Sequence, residues 1–218
     1  MAYEFPLATS DFMDILPVKD CPFDIPQAVE TSETDGGEIL AAPLGSRLWQ
    51  GKITLGAMDA DEAAEVLPML DVARDGAASF FFYDKRQPAP RLDPSGLILG
   101  QAVPEIGEIS ADGREMSVWE LPPDYELRRG DMLSFTYGSD PVRYAFHRLA
   151  SPAQADAQGQ TPLFEVRPRL RAGAAPGAVV SLVKPFCKAI IIPKSFEPGS
   201  RRSTWTRDVS FRWIQTLR

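Results

Sequence analysis

The chain has a single histidine, His147, within the alternating run Val142-Arg143-Tyr144-Ala145-Phe146-His147-Arg148. A Ser-His-Asp relay needs a nucleophile and an orienting carboxylate, and a zinc site needs further ligands at recognisable spacing. No second histidine, cysteine pair or close carboxylate motif accompanies His147, so it is predicted on the outward face of a strand. Glu105, Glu108 and Glu120 are candidates for glycoside hydrolysis, a reaction that depends on the distance between two carboxyl groups and not on their sequence spacing. Arg167, Arg169 and Arg171 alternate. On a strand they would share one face and could hold an anion, although a solvated or inter-subunit face is the plainer reading. Arg129-Gly130-Asp131 spells an integrin-binding tripeptide, but between Leu127 and Met132 it reads as a hairpin turn. No phosphate-binding glycine loop of either common type is present. The expectation is a protein with no metal, no cofactor and no catalytic role.

Two further sets of residues bear on chemistry. Trp119, Tyr125, Phe135, Tyr137 and Tyr144 could pave a sugar-binding platform, but core packing accounts for most of them. Cys21 and Cys187 lie far apart in sequence and read as buried free thiols of a cytoplasmic product.

The elements that must position these residues point to a β-rich chain. Its 218 residues include 20 prolines and 16 glycines, spread so widely that turns must be frequent. Arg47–Leu55 has strand periodicity, with Trp49, Ile53 and Leu55 on one face. Asp59 followed by Glu62 resembles a capping box, and Ala63, Val66, Leu67, Leu70 and Ala73 form an apolar stripe at helical spacing. Pro68 interrupts that stripe, which predicts a kink near Ala64–Val66 or a late start, and Gly76 is the expected stop. A second strand follows at Ala78–Asp84. Before this unit, Asp11–Leu16, Phe23–Ile25 and Gln27–Thr34 read as extended, the last with Ala28, Glu30, Ser32 and Thr34 on one side. A turn at Asp35-Gly36-Gly37 would return the chain into Glu38–Ala41.

The segment Gln87–Pro94 is proline-rich and reads as a boundary. Beyond it, strands are predicted at Leu97–Val103, Glu115–Glu120, Met132–Tyr137, Val142–Leu149, Leu163–Val166 and Val179–Val183, with a surface loop at Ala150–Gly159. Six short strands suggest a small barrel or sandwich. After Pro185 come a strand at Cys187–Ile192 and a mobile basic loop at Gly199–Ser203. The last alternating run, Thr204–Leu217, puts Trp205, Val209, Phe211, Trp213 and Leu217 on one side, and is expected to complete the first sheet. The organisation that follows is a domain built from residues 1–90 and 185–218, with residues 91–184 inserted.

Charge is segregated along the chain, whose net charge is −7. Residues 1–40 carry nine acids and one lysine, Lys19, whereas residues 185–218 carry seven bases and two acids. Such ends attract one another within a chain or between subunits, a simpler account than a nucleic-acid site. The candidate inter-subunit contacts are Asp11, Asp14, Asp20 and Asp24 with Arg201, Arg202, Arg207 and Arg212. The first residues show neither a basic nor an apolar leader region, and no run approaches the roughly 18 apolar residues of a membrane span.

Arg47-Leu48-Trp49-Gln50-Gly51-Lys52-Ile53-Thr54-Leu55, an alanine-rich helix and then Gly76-Ala77-Ala78-Ser79-Phe80-Phe81-Phe82-Tyr83-Asp84 resemble a pattern in minor tail proteins of long-tailed, siphovirus-type bacteriophages and gene transfer agents. Met116–Pro123 with Leu127–Met132, and Phe164–Arg171 with Gly177–Val183 and Pro185, are similar to later stretches of the same pattern. The likeness covers roughly residues 45–218, and the nearest role is the distal tail protein. It implies a mainly β chain: a split β-barrel, tube-type domain with one helix, plus a small inserted β-barrel that is oligonucleotide/oligosaccharide-binding-like or galectin-like. It implies a structural virion protein of the tail tip or baseplate, made in the host cytoplasm, that assembles as a homohexameric ring. The ring would join the tail tube protein to the hub protein and fibres, or meet the tape measure protein, with DNA only as cargo in the lumen. A carbohydrate-binding or hydrolytic surface module, and a tail-tube or tail-terminator subunit, are the alternatives.

Overall fold

A computed structural model describes residues 3–27, 29–43, 45, 47–76 and 78–218. Met1 and Ala2 of the leader reading, Ala28 of the strand reading and Ala77 of the tail-protein pattern lie outside the described residues. In chain order the first elements are β1 (Val18–Asp20), β2 (Phe23–Asp24), β3 (Val29–Glu33), β4 (Ile39–Pro43), β5 (Gln50–Leu55), α1 (Ala60–Ala73) and β6 (Phe80–Phe82). The middle of the chain forms β7 (Glu105–Ile109), β8 (Glu115–Trp119), β9 (Glu126–Leu127), β10 (Met132–Tyr137), β11 (Arg143–Leu149), β12 (Ala153–Gln154), β13 (Phe164–Arg167) and β14 (Val180–Ser181). The end supplies β15 (Cys187–Ile191), β16 (Ser200–Arg201), β17 (Thr206–Arg207) and β18 (Ser210–Gln215). The protein is mainly β, with one helix among the described residues.

The helix forms where its caps and stripe direct it. The Asp59 carboxylate accepts from the amides of Asp61 and Glu62, both at 2.9 Å, and the Glu62 carboxylate accepts from the Asp59 amide. These bonds satisfy amide groups that the first turn leaves without helical partners. Ala63, Val66, Leu70 and Ala73 are buried, and Leu67 packs partly against the same core. The helix starts on time at Ala60 and runs through Pro68. Pro68 is on the exposed side, where its ring meets solvent and not the core. The stop is Arg74 in right-handed geometry, not Gly76.

Two six-stranded sheets organise the rest. The first has the order β1-β5-β18-β15-β6, with β2 also paired to β5. The terminal strand β18 lies in its middle, between β5 and β15, because Val209, Phe211 and Trp213 are all buried. Gly51 makes the β2–β5–β18 packing possible: a Cβ there would sit 2.5 Å from the Pro22 carbonyl oxygen and 3.0 Å from the Trp213 indole nitrogen. The chain leaves this sheet after Phe82 and returns to it at Cys187.

The second sheet has the order β14-β10-β11-β13-β8-β7, antiparallel throughout. Its two ends meet through a bridge between Glu105 and Val179, where the Ile106 amide donates to Ala178 O at 2.9 Å and the Val180 amide donates to Pro104 O at 2.7 Å. The sheet is therefore nearly closed and barrel-like, which leaves it few free edges. Each sheet encloses a core, but Met132 and Phe146 of the second sheet belong to the first core.

Several expectations are corrected by long-range packing. Asp11–Leu16 is a helical turn, not a strand. The Phe12 amide donates to Ala8 O and the Leu16 amide to Phe12 O, which puts Phe12, Met13 and Leu16 together in the core. Leu97–Val103 forms turns, because the buried Asp93 carboxylate accepts from the amides of Ile98 and Leu99 at 3.1 and 2.8 Å. The Ala150–Gly159 loop contains β12, whose Ala153 is buried. Gly199–Ser203 is not simply a loop, since β16 pairs with β17. Trp205 is 46% exposed and leaves the buried face of its run, because Asp208 at φ 60° breaks the alternation.

Pro68 lacks the amide that would complete the helical ladder to Ala64, and it meets no core that would require it. Pro68→Ala is expected to raise stability by about 1–3 kcal/mol, read as a higher urea midpoint with an unchanged slope. An unchanged or lowered midpoint would show that Pro68 contributes something the helix needs.

Candidate functional site

The residues singled out for catalysis are not brought together. His147 is buried, not outward-facing. The reason is the position of β11. Its even-numbered side turns Phe146 into the first core and its odd-numbered side turns Ala145 and Leu149 into the second, so both faces of the strand are covered. The His147 ring stacks on Phe135 with centroids 5.4 Å apart, and its Nδ1 lies 2.8 Å from Pro168 O. Burial holds its pKa down at about 4, against the opposing effect of the Pro168 bond and with added repulsion from Arg171. The ring is neutral at pH 7, so Nδ1–H donates to the carbonyl.

Glu105 and Glu120 line one shallow depression with Gln101 and Gln158, while Glu108 is not among its lining residues. The aromatic platform does not form. Tyr125, Phe135 and Tyr137 are buried, and Tyr144 packs edge-on against Phe81 at 4.8 Å. Tyr144 is half-buried, and Trp119 is the one exposed member of the set, at 36%. The tripeptide at residues 129–131 is a turn, with Gly130 at φ 96°, and Asp131 is fully buried. The Asp131 carboxylate accepts from Gln87 Nε2 (3.0 Å), the Arg91 amide (3.3 Å), Arg91 Nε (3.2 Å) and the Arg128 amide (2.8 Å). It thus ties the proline-rich segment to the start of β10. Cys21 and Cys187 are buried free thiols, as predicted, and desolvation pushes the Cys21 thiol up to about 12. Among the described residues no group of three or more His, Cys, Asp and Glu is placed to hold a metal, and no helix is long and apolar enough to cross a membrane.

One concave feature is a groove of about 910 Å³. Arg47, Arg114, Arg143, Arg167, Arg169 and Arg171 all line it. The three alternating arginines do share a site, but not as one strand face: β13 ends at Arg167, and Arg169 and Arg171 follow in irregular chain. Arg47, Arg114 and Arg143 come from distant parts of the sequence and carry no local signal of membership. Arg114 pairs with Asp112 at 3.2 Å, and Arg167 pairs with Glu165. The Asp112 carboxyl is held below its ordinary range by the Ser110 hydroxyl first, then by the Arg114 amide and charge, with Arg169 adding to the effect. Three of the four remaining cations turn to neutral acceptors. Arg47 Nη2 donates to Ile25 O (2.6 Å), Arg143 Nε to Leu217 O (3.2 Å) and Arg171 Nη2 to Arg47 O (2.8 Å). Arg171 Nη1 is buried without a partner.

The terminal charges are distributed differently from a simple acidic head and basic tail. Asp14 is committed within the chain: it accepts from the Tyr83 hydroxyl and pairs with Lys184 at 2.9 Å. Partial burial alone would raise its pKa, but the Tyr83 bond and then Lys184 outweigh that and hold it low. Asp11, Asp20 and Asp24 are exposed. Arg201, Arg202 and Arg207 cluster on the exposed β16–β17 hairpin, whereas Arg212 lies on β18 opposite Lys52. The most acidic exposed element is the β3–β4 hairpin, closed by Thr34 and Glu38 around Gly37. Residues 30–42 are exposed throughout, including Ile39 at 70% and Leu40 at 52%.

Fold and site together define a mainly β protein with a nearly closed barrel-like sheet, an arginine-lined groove and an acidic hairpin arm. No protein-family model matches the chain, and no curated protein matches it.

His147 gives this interior a pH signature. Its pKa is about 4 in the fold against an ordinary 6.5, so the unfolded chain binds the proton more tightly. Stability is complete above pH 6.5 and falls as the pH drops towards 4, by roughly 3 kcal/mol for this group. In urea unfolding at pH 7.5 and 4.5, His147→Gln is expected to lose roughly 2–3 kcal/mol less than the unmodified protein. Equal losses would assign the acid sensitivity to other groups.

Proposed function

We propose that the chain is a structural subunit of a viral tail tip, a distal tail protein that assembles into a ring, hexameric by the resemblance. The ring joins the tail tube to the baseplate hub and fibres, with the tape measure protein as a further neighbour and DNA passing through its lumen. In this role the chain positions partners and carries out no reaction.

The observation that carries the reading is the β3–β4 hairpin. Two strands alone are marginal in water, yet Ile39 and Leu40 stand exposed on opposite faces of this one. An arm of this kind gains its stability when a neighbour covers it. The motifs that resemble tail proteins support the reading further, since β5, α1 and β6 contribute to one core. In this view residues 1–90 and 185–218 form the ring-building, split-barrel unit, and residues 91–184 form a peripheral barrel. The departure of the chain from the first sheet after Phe82 and its return at Cys187 favour that division.

Successive copies would meet through unlike surfaces, as a head-to-tail ring requires. Exposed Asp11, Asp20 and Asp24 and the β16–β17 arginines are of opposite sign and are available for such contacts. Native mass spectrometry is expected to find a hexamer, and a monomer that binds glycans would overturn the proposal in favour of a carbohydrate-binding module. Arg201→Glu, Arg202→Glu and Arg207→Glu together are expected to shift the population towards monomers. A ring that survives all three, at unchanged concentration dependence, would remove these arginines from the interface.

A further inference from the structure

We infer that the arginine-lined groove is the receptor for the acidic β3–β4 hairpin of a second copy of this chain. This rests on the proposal that copies assemble, and it names the surfaces that meet.

The groove needs an anion. Arg47, Arg143 and Arg171 spend their donors on backbone carbonyls, which satisfy hydrogen bonds but leave the positive charge unneutralised. Only Arg114 and Arg167 have carboxylate partners among the described residues, and Arg171 Nη1 is buried with nothing to bind. Like charges held in one concavity repel, and low-dielectric walls strengthen their field. Guanidinium groups match carboxylates in a two-pronged geometry, so the groove is suited to several carboxylates presented together.

The hairpin presents such a set. Residues 28–46 contain Glu30, Glu33, Asp35 and Glu38 and no lysine or arginine. All four acids are exposed on one short arm. One of the exposed, oppositely facing Ile39 and Leu40 can meet the apolar part of the groove lining at Leu170 and Leu217. A nucleic acid would supply phosphates but would have to approach a chain of net charge −7. The hairpin's anions belong to a chain that already carries the groove.

The arm's geometry favours a second copy over its own groove. Gly45 and Arg47 line the groove directly after β4 ends at Pro43. The hairpin therefore grows from the groove's rim, and five residues of strand carry its tip roughly 17 Å away from its base. Hairpin into the next groove, repeated, is a head-to-tail relation of the kind that closes rings.

The test uses the full chain. Arg114→Glu with Arg169→Glu reverses the charge at two exposed positions among the groove's six arginines, and Glu30→Lys, Glu33→Lys and Glu38→Lys reverse the arm. Each set alone is expected to weaken assembly at least a hundredfold by native mass spectrometry and sedimentation, with unchanged far-ultraviolet circular dichroism. Mixing the two variants leaves one intact hairpin–groove pair and should yield 1:1 heterodimers, because the reversed arm still faces the four remaining arginines of the altered groove. If a variant misfolds, Arg169→Ala alone, at an exposed site, should still weaken assembly measurably. A ring that persists in both variants sinks this inference and leaves the ring proposal standing, whereas an unmodified chain that is monomeric at all concentrations sinks the ring proposal. Dissociation without heterodimers on mixing, or retained assembly with loss of oligothymidylate binding in Arg114→Glu/Arg169→Glu, would also overturn the hairpin as occupant.

Discussion

One knot of aromatic side chains holds the two sheets in register. Trp213 stacks on Phe82 at 3.7 Å, Phe23 packs against Trp49 and Phe82, and Phe146 reaches into the same knot from the second sheet. The Trp49 indole N–H donates to Phe146 O at 2.7 Å, so the joint has direction as well as apolar bulk. Arg148 sits over the Trp49 ring at 4.9 Å. Trp49, Phe82, Phe146 and Trp213 are all essentially inaccessible to water. Removing one buried aromatic side chain of this kind typically costs about 3–5 kcal/mol, a large part of a domain's stability. The second sheet is thus joined to the first through a shared core and not hung on a loose linker.

That joint explains where polar groups are allowed. β11 is shared by both cores, so its histidine must be neutral and must spend its N–H on a carbonyl. The proline-rich segment is pinned at Asp93 and Asp131, each satisfied by several donors, which is the condition for burying a carboxylate. Charges without such partners are displaced to the periphery: acids to the β3–β4 arm, arginines to the groove and to the β16–β17 hairpin. This placement of charge is in keeping with the assembly role proposed for the chain.

Local signals were legible wherever a few neighbouring residues decide the outcome. The Asp59/Glu62 capping box, the buried stripe of α1, the buried face of β5 and the strand Met132–Tyr137 occur where sequence places them. The Asp35-Gly36-Gly37 turn closes β3 and β4 as its positive-φ glycine requires. Other elements escaped because their neighbours are remote. Leu97–Val103 reads as apolar strand, but amide bonds to Asp93 curl it into turns. His147 looks outward on a two-sided pattern, but a second layer covers that side. The groove was visible in part, as Arg167, Arg169 and Arg171, because they are close in sequence. Arg47, Arg114 and Arg143 join them through folding alone.

By itself, then, the sequence determined a mainly β chain with one capped helix, tight glycine turns, an acidic arm and basic clusters. Backbone preference, side-chain periodicity and charge are short-range properties that a linear chain already carries. Tertiary structure decided that β18 lies between β5 and β15, that β7 meets the end of β14, that β11 is buried on both sides and that six arginines converge. Each of these depends on closing loops of tens to more than a hundred residues, and the choice among closures is made by packing the whole aromatic core at once.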